Sequence, residues 1–377
     1  MTPKQRMLAA YRGELPDYTP VAPEFWYYVP AKVLGLDMIT FEREVPHWEA
    51  LLKTFDYYKT EGWGIAGPSI PTEGTSSSEE WIDIGVGRFE SRVTTHTPLG
   101  DLRSSSVFDP VEPCWSVEHA IKDFDRDWPA YVHSTLGNPE EADWSGVNAA
   151  LDKVGENYLL EVYSGWFFID YIAGSRQGGI EQAIYDLYER EEYFEEFHKQ
   201  FIDYIRRLVR SVFAGSKAES IFIGSCWSCP SLTGPNLWRK WEKPVLMAAA
   251  EEAHAAGGLL HVHLHGKVMD VLDELHETGI DCICPFERPP GGDVTDLSVV
   301  EKALHGKVTM NGNIHTVETL IRGSAQDVRD EIAEIFGQWG PDRRRLILGT
   351  GDQVGLETPD ENIAAMIEAG REFGKNI

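Results

Sequence analysis

The sequence predicts an α/β fold in one domain over residues 1–377: a closed (β/α)8 TIM barrel with an antiparallel β segment inserted after its second strand. Three observations carry that expectation. Eight short apolar runs recur along the chain, each followed by a longer stretch of helical character. The runs are rich in Ile, Val and Leu, as the strands of a parallel sheet covered by helices must be. Polar and sulfur-bearing residues gather at the C-terminal ends of five consecutive runs, and in a barrel those ends share one face.

Taken in order, the runs are 19–25, 62–66, 158–163, 220–224, 259–265, 281–286, 307–311 and 345–348. Apolar residues recur at helical spacing between them, over 181–213, 237–256, 270–278, 325–336 and 360–373. One segment breaks the alternation. Residues 79–108 contain the period-two stretch WIDIGVGRFESRVTT and turn-forming Gly85, Gly87 and Gly100, which predicts two or three antiparallel strands. Low-complexity tracts and internal repeats are not evident.

Composition narrows the function. The chain carries 61 acidic residues against 34 basic ones, a net charge of −27, so its surface repels phosphate backbones and nucleic-acid binding is disfavoured. No run is long and apolar enough to span a membrane, and residues 1–20 lack the apolar centre of a secretory signal. These features place the chain in the cytoplasm; a homodimer stays open. The five cysteines are an odd number in a large chain, which argues against a disulfide framework. Cys226 and Cys229 form a CxxC without a second such pair at zinc-ribbon spacing. They read as small buried residues, with extra metal ligation as the alternative. Cys282 and Cys284 lie within the sixth run and read as core. The loop 67–77 lacks the lysine of a phosphate-binding loop, and no nucleophile elbow is present.

The densest chemistry lies in LLHVHLHG, 259–266. Alternation on a strand points His261, His263 and His265 to one face, where neutral imidazoles can converge on a metal, zinc suiting them well. Buried, hydrogen-bonded histidines are the alternative. Nearby strand ends carry 224–229 (GSCWSC), Cys284 to Glu287, Asn311 to Asn313, and Gly351-Asp352-Gln353. Aromatic residues crowd the same side: Trp26 and Tyr28 after the first run, Trp166 after the third and Trp227 after the fourth. Flat apolar walls of that kind suit an aromatic ring.

The strand ends are also where the chain resembles the uroporphyrinogen decarboxylase-like superfamily, and within it the corrinoid-dependent methyltransferases. RMLAAYRGELPDYTPV resembles the family's opening, and SLTGPNLWRKWEKP (231–244) its helix entry. HLHG (263–266) falls where the methyltransferases have His-x-Cys-Gly, NGNI (311–314) matches a Gly-Asn-Ile turn, and LGTGDQVGLETPDENI (348–363) is similar to the closing motif. The resemblance implies zinc held by His263, by His265 in place of a cysteine and by Asp352 in place of a second one. Glu287, Asp352 and His265 then read as catalytic groups, Asn313 and Gly266, within the matched motifs, as residues beside the cofactor, and the aromatic Trp26, Tyr28, Trp166 and Trp227 as the walls around the substrate. The resemblance implies methyl transfer to cob(I)alamin on a separate corrinoid protein, and the aromatic walls point to an aromatic methyl ether as the donor. Transfer from methylcobalamin to a thiol or folate is the alternative, with decarboxylation and non-catalytic tetrapyrrole binding behind it. Decarboxylation of a polycarboxylate is disfavoured because EFWYYVPAKVLGL (24–36) lacks the arginines the decarboxylase has there.

Overall fold

The computed structural model describes residues 1–304 and 306–375. Twelve strands form two sheets: Val21–Ala22 (β1), Trp63–Ala66 (β2), Ser76–Gly85 (β3), Arg88–Thr97 (β4), Gly100–Phe108 (β5), Trp115–Glu118 (β6), Leu159–Trp166 (β7), Ser220–Ser225 (β8), Leu259–Leu264 (β9), Cys282–Pro285 (β10), Thr309–Ile314 (β11) and Leu346–Thr350 (β12). The larger sheet has eight strands in the order β1-β12-β11-β10-β9-β8-β7-β2, each pair parallel. All eight expected runs are strands of this barrel-like sheet, shifted by a few residues at their ends. The expected full closure is modified at one seam. β1 and β2 share no ladder among the described residues, and side chains join them instead. Thr60 Oγ1 donates to the Val21 carbonyl at 2.5 Å, and the Val21 N–H donates to Glu61 Oε2 at 3.1 Å.

The insertion is larger than the sequence suggests. β3 to β6 form a separate four-stranded antiparallel sheet. Its fourth strand is only four residues long and falls outside 79–108, so alternation could not reveal it. The β3–β4 hairpin turns through Gly85 and Gly87, both at positive φ, with Val86 between them also left-handed. Helix boundaries were legible to differing degrees. The stretch 181–213 divides at Arg190 into Gly179–Glu189 and Glu191–Gly215. The stretch 270–278 shortens to Leu272–Leu275. The stretch 237–256 opens with a wide π turn, Trp238–Glu242, before the helix Lys243–Ala255. Pro244 lacks the N–H that a regular turn would use there, and the wider turn absorbs that loss.

A helix outside the predicted set, Pro3–Arg12, closes the lower end of the barrel. Thr2 and Gln5 form its capping box. Its Met7, Leu8, Ala10 and Tyr11 pack with inward residues of the strands, among them Trp63, Leu159, Phe222, Cys282 and Ile347. Arg6, a buried residue of this helix, donates to Glu61 Oε1 at 2.6 Å, and the Tyr18 hydroxyl donates to the same oxygen at 2.6 Å. Among the described residues, no helix is long and apolar enough to cross a membrane.

Glu61 therefore ties the terminal helix, the β1 backbone and the start of β2 together. Glu61→Ala would take the acceptor from one arm of the Arg6 guanidinium, from the Tyr18 hydroxyl and from the Val21 N–H, while Asp17 still holds the other side of Arg6; the expected cost is about 1–3 kcal/mol. A urea melt checks this; an unshifted midpoint would remove Glu61 from that role.

Candidate active site at the barrel mouth

Strand periodicity sets His261, His263 and His265 along one line, and the structure separates them by depth. His261 lies inside the barrel, fully buried between the rings of Trp63 and Phe222. Its Nδ1 sits 2.8 Å from Glu161 Oε1 and 3.0 Å from the Tyr11 hydroxyl, and Ser220 Oγ donates to the other oxygen of Glu161. His261 is thus a hydrogen-bonded core residue. His263 and His265 stand above it at the mouth, their rings 4.3 Å apart and nearly perpendicular.

Three carboxylates and a thiol surround the upper pair. His263 Nδ1 is 3.2 Å from Cys284 Sγ and 3.9 Å from Glu24 Oε2. His265 Nδ1 is 3.4 Å from Glu287 Oε2 and 3.9 Å from Asp352 Oδ2. Glu24 follows β1 and is anchored by its backbone: its N–H donates to Thr350 Oγ1, and its carbonyl accepts from Val354 N–H in the loop that carries Asp352.

Burial and these neighbours divide the protonation states. Burial, reinforced by the Asp352 charge, pushes Glu24 up to about 8. Burial also raises Asp352, while His265 pulls it back. Burial and the neighbouring imidazoles hold His263 well below the ordinary histidine range, so it is neutral. Burial opposes the charge on His265, yet the hydrogen bond to Glu287 and the charges of Asp352, Glu287 and Glu24 prevail and lift it to about 9. Burial drives the Cys284 thiol well up, so it ionises only if a cation takes its proton's place.

Two overlapping donor sets result, Glu24–His263–Cys284 and His263–His265–Asp352, and in each the ligand atoms lie within 4.8 Å of one another. Both have the mixed N, O or S character that zinc accepts, with a coordination position left over. The inner set fits better. All three of its residues are buried and it offers a thiolate, whereas His265 is a cation held by Glu287 and Asp352. The expected His263–His265–Asp352 set is therefore one of two; Glu24 is new to the site, and Cys284, expected as core, is indeed buried but faces His263. The signal for Glu24 is its place at the C-terminal end of the first run, 19–25, and for Cys284 the signal is register. Cys284 pairs with His263 across β9–β10, and paired residues of parallel strands project to the same side.

A cavity of about 430 Å³ opens above the imidazoles, walled by Trp26, Tyr27, Trp63, Tyr163, Trp166 and Phe222. Trp26 and Trp166 are thus where the sequence reading put them, and Trp63, Tyr163 and Phe222 are added by strand parity. Tyr28 and Trp227 are not on the wall. Tyr28 starts the helix Tyr28–Leu34 and donates its hydroxyl to Glu112. Trp227 packs on the core. Asn313 is buried and donates to the Phe286 carbonyl at 2.9 Å; Gly266 donates its N–H to Glu287. Both residues brace the segment that carries Glu287, and neither lines the cavity. At Gly266, φ is +74° and a Cβ would fall 2.1 Å from Ser231 Oγ, so the turn that releases the N–H needs glycine. Cys226 lies on the cavity rim and Cys229 is buried; among the described residues neither joins a donor cluster. The Asp170 carboxylate accepts the N–H groups of Cys226, Trp227 and Ser228, each at 2.9 Å, and so shapes that rim.

A parallel α/β barrel with titratable groups converging at the strand C-termini has the architecture of an enzyme. Residues 162–373, more than half of the chain, match the uroporphyrinogen decarboxylase (URO-D) family model, and the chain belongs to that family. No curated protein sequence matches the chain. Among solved structures, a methyltransferase from Methanosarcina mazei superposes over 99% of both chains with a TM-score of 0.63 at 16% identity, which shows a shared fold. A second, uncharacterised protein matches 46% of this chain and 44% of its own, with a TM-score of 0.27 at 14% identity.

Two outcomes are expected. Zinc retained after dialysis should be lost in His263→Ala and reduced in Cys284→Ser but kept in Asp352→Asn; the reverse order of the last two would assign the outer set. In metal-free protein, an NMR titration should show the His265 ring cationic up to about pH 9. Glu287→Gln removes a hydrogen-bond partner that favours the cation, so the midpoint should fall; an unmoved midpoint would contradict the pairing.

Proposed function

We propose that this chain takes a methyl group from an aromatic methyl ether and delivers it to cob(I)alamin carried by a separate corrinoid protein, in the cytoplasm. The observation that carries the reading is the cavity itself, in which aromatic walls stand directly over His263, His265 and Asp352. Membership of the family and the full-length likeness to a structure titled a methyltransferase are in keeping with it. Decarboxylation of a polycarboxylate is poorly served, because no Arg or Lys is among the described residues that line the cavity.

The reaction is a displacement at carbon. The bond from methyl to the ether oxygen breaks, the acceptor's electron pair forms the new bond to methyl, and the phenolate oxygen takes a proton. The aromatic walls hold the ring and thereby fix the line of attack. His265, cationic at neutral pH, has the proton to give, and Glu287 and Asp352 hold its imidazole in place. A zinc ion bound through His263, Cys284 and Glu24 would supply Lewis-acid character at the ether oxygen.

One observation favours a second reading, methyl transfer from methylcobalamin to a thiol or folate. Cys284 gives the inner donor set a thiolate, and sulfur-bearing zinc sites suit activation of a thiol.

Methyl transfer from guaiacol to cob(I)alamin, followed anaerobically by the absorbance of methylcobalamin, tests the first reading. His265→Ala should lower turnover by about 10²–10⁴-fold, the span typical of a positioned proton donor, without loss of fold. Full activity in that variant would remove His265 from the mechanism. Turnover only of methylcobalamin with an added thiol would move the protein to the second reading.

A further inference from the structure

The groups facing the cavity are unbalanced in charge. Glu24, Asp170 and Asp352 line it, and Glu287 stands 3.4 Å behind His265. Among the described lining residues no Arg or Lys answers these acidic side chains. Asp170, Asp352 and Glu287 stand against one cationic ring, His265. Glu24, buried, adds charge only where a cation takes its proton's place. Asp170 spreads its charge over three backbone N–H groups but keeps its sign. A divalent ion on His263, Cys284 and Glu24 would displace the protons of the last two, whose charges then balance its own, so it would not make the site cationic. The adjoining chamber, of about 490 Å³, shares Trp26, Tyr27 and Ile65 with this one and contains Arg43. That guanidinium is already gripped by both oxygens of Glu79, at 2.8 and 3.0 Å.

Building on the methyl-transfer reading, we propose that the cavity selects methoxyarenes whose ring bears no negative charge, and rejects those with a ring carboxylate. An anionic ring entering here would give up hydration, meet like charge and find no unpaired guanidinium or ammonium among the described residues that line the two chambers. An uncharged ring gives up little and gains the aromatic walls, and a cationic substituent would gain the π faces as well.

Calorimetric binding of guaiacol and of its ring-carboxylated counterpart vanillate to the purified full chain, beside methyl transfer from each to cob(I)alamin, tests this. Guaiacol should bind, and vanillate should bind at least about tenfold more weakly. Gln353→Arg, which adds a cation on the cavity wall, should shift the ratio toward vanillate. Wild-type protein that binds vanillate as tightly as guaiacol overturns the proposal whatever the turnover, and so does failure to bind either. Preferential binding of guaiacol without methyl transfer would uphold the charge selection and overturn the methyl-transfer reading instead.

Discussion

The site depends on the register of β9 against its two neighbours. On one side Cys282 lies opposite His261 and Cys284 opposite His263; on the other Phe222 lies opposite His261 and Gly224 opposite His263. Paired residues of parallel strands project to the same side, so each level of the barrel interior is set by these pairings. At the lower level three side chains and Trp63 fill the space, which makes a floor. One level up, Gly224 contributes no side chain, and the gap it leaves is part of the cavity. A slip by one residue would replace both histidines by Val262 and Leu264 and abolish the donor cluster.

That floor is itself polar at its centre. Tyr11, Glu161, Ser220 and His261 hydrogen-bond to one another under the mouth. The terminal helix delivers Tyr11, so the segment that seals the bottom of the barrel also supports the residues beneath the chemistry. Glu242 has a comparable part on the rim: its buried carboxylate receives the N–H groups of Phe168 and Ile169 at 2.6 and 2.8 Å. These amides are the unpaired donors at the start of the helix Phe168–Ala173, next to the wall residue Trp166.

Burial of so many ionisable groups in one mouth forces them to share protons unequally. Two imidazoles 4.3 Å apart are driven in opposite directions, His263 toward neutrality and His265 toward the cation. Environments that push apart two chemically identical groups assign them different tasks. The neutral ring is suited to a metal and the charged ring to a proton. Depth alone makes the difference, because His265 lies beyond the end of β9, where Glu287 and Asp352 can reach it.

Much of this was legible in one dimension. Eight apolar runs, their alternation with helices and the polar strand ends define the barrel and its active face, because periodicity and strand polarity are local properties. Residues already at strand ends, His263, His265, Glu287 and Asp352, could be named for the same reason. Glu24 stands at the end of the first run and was open to the same reading, although its partners lie far away in sequence; Cys284 was not, since only the β9–β10 register sets this buried thiol beside His263. Tyr28 and Trp227 show the converse: nearness in sequence to a strand end does not fix which way a loop side chain turns. The sequence by itself thus determined the fold and the end of it where chemistry takes place. Only the tertiary structure decided which side chains meet there and in what charge state, because pairing register, burial and the distance between charges are properties of the packed barrel and not of any segment of it.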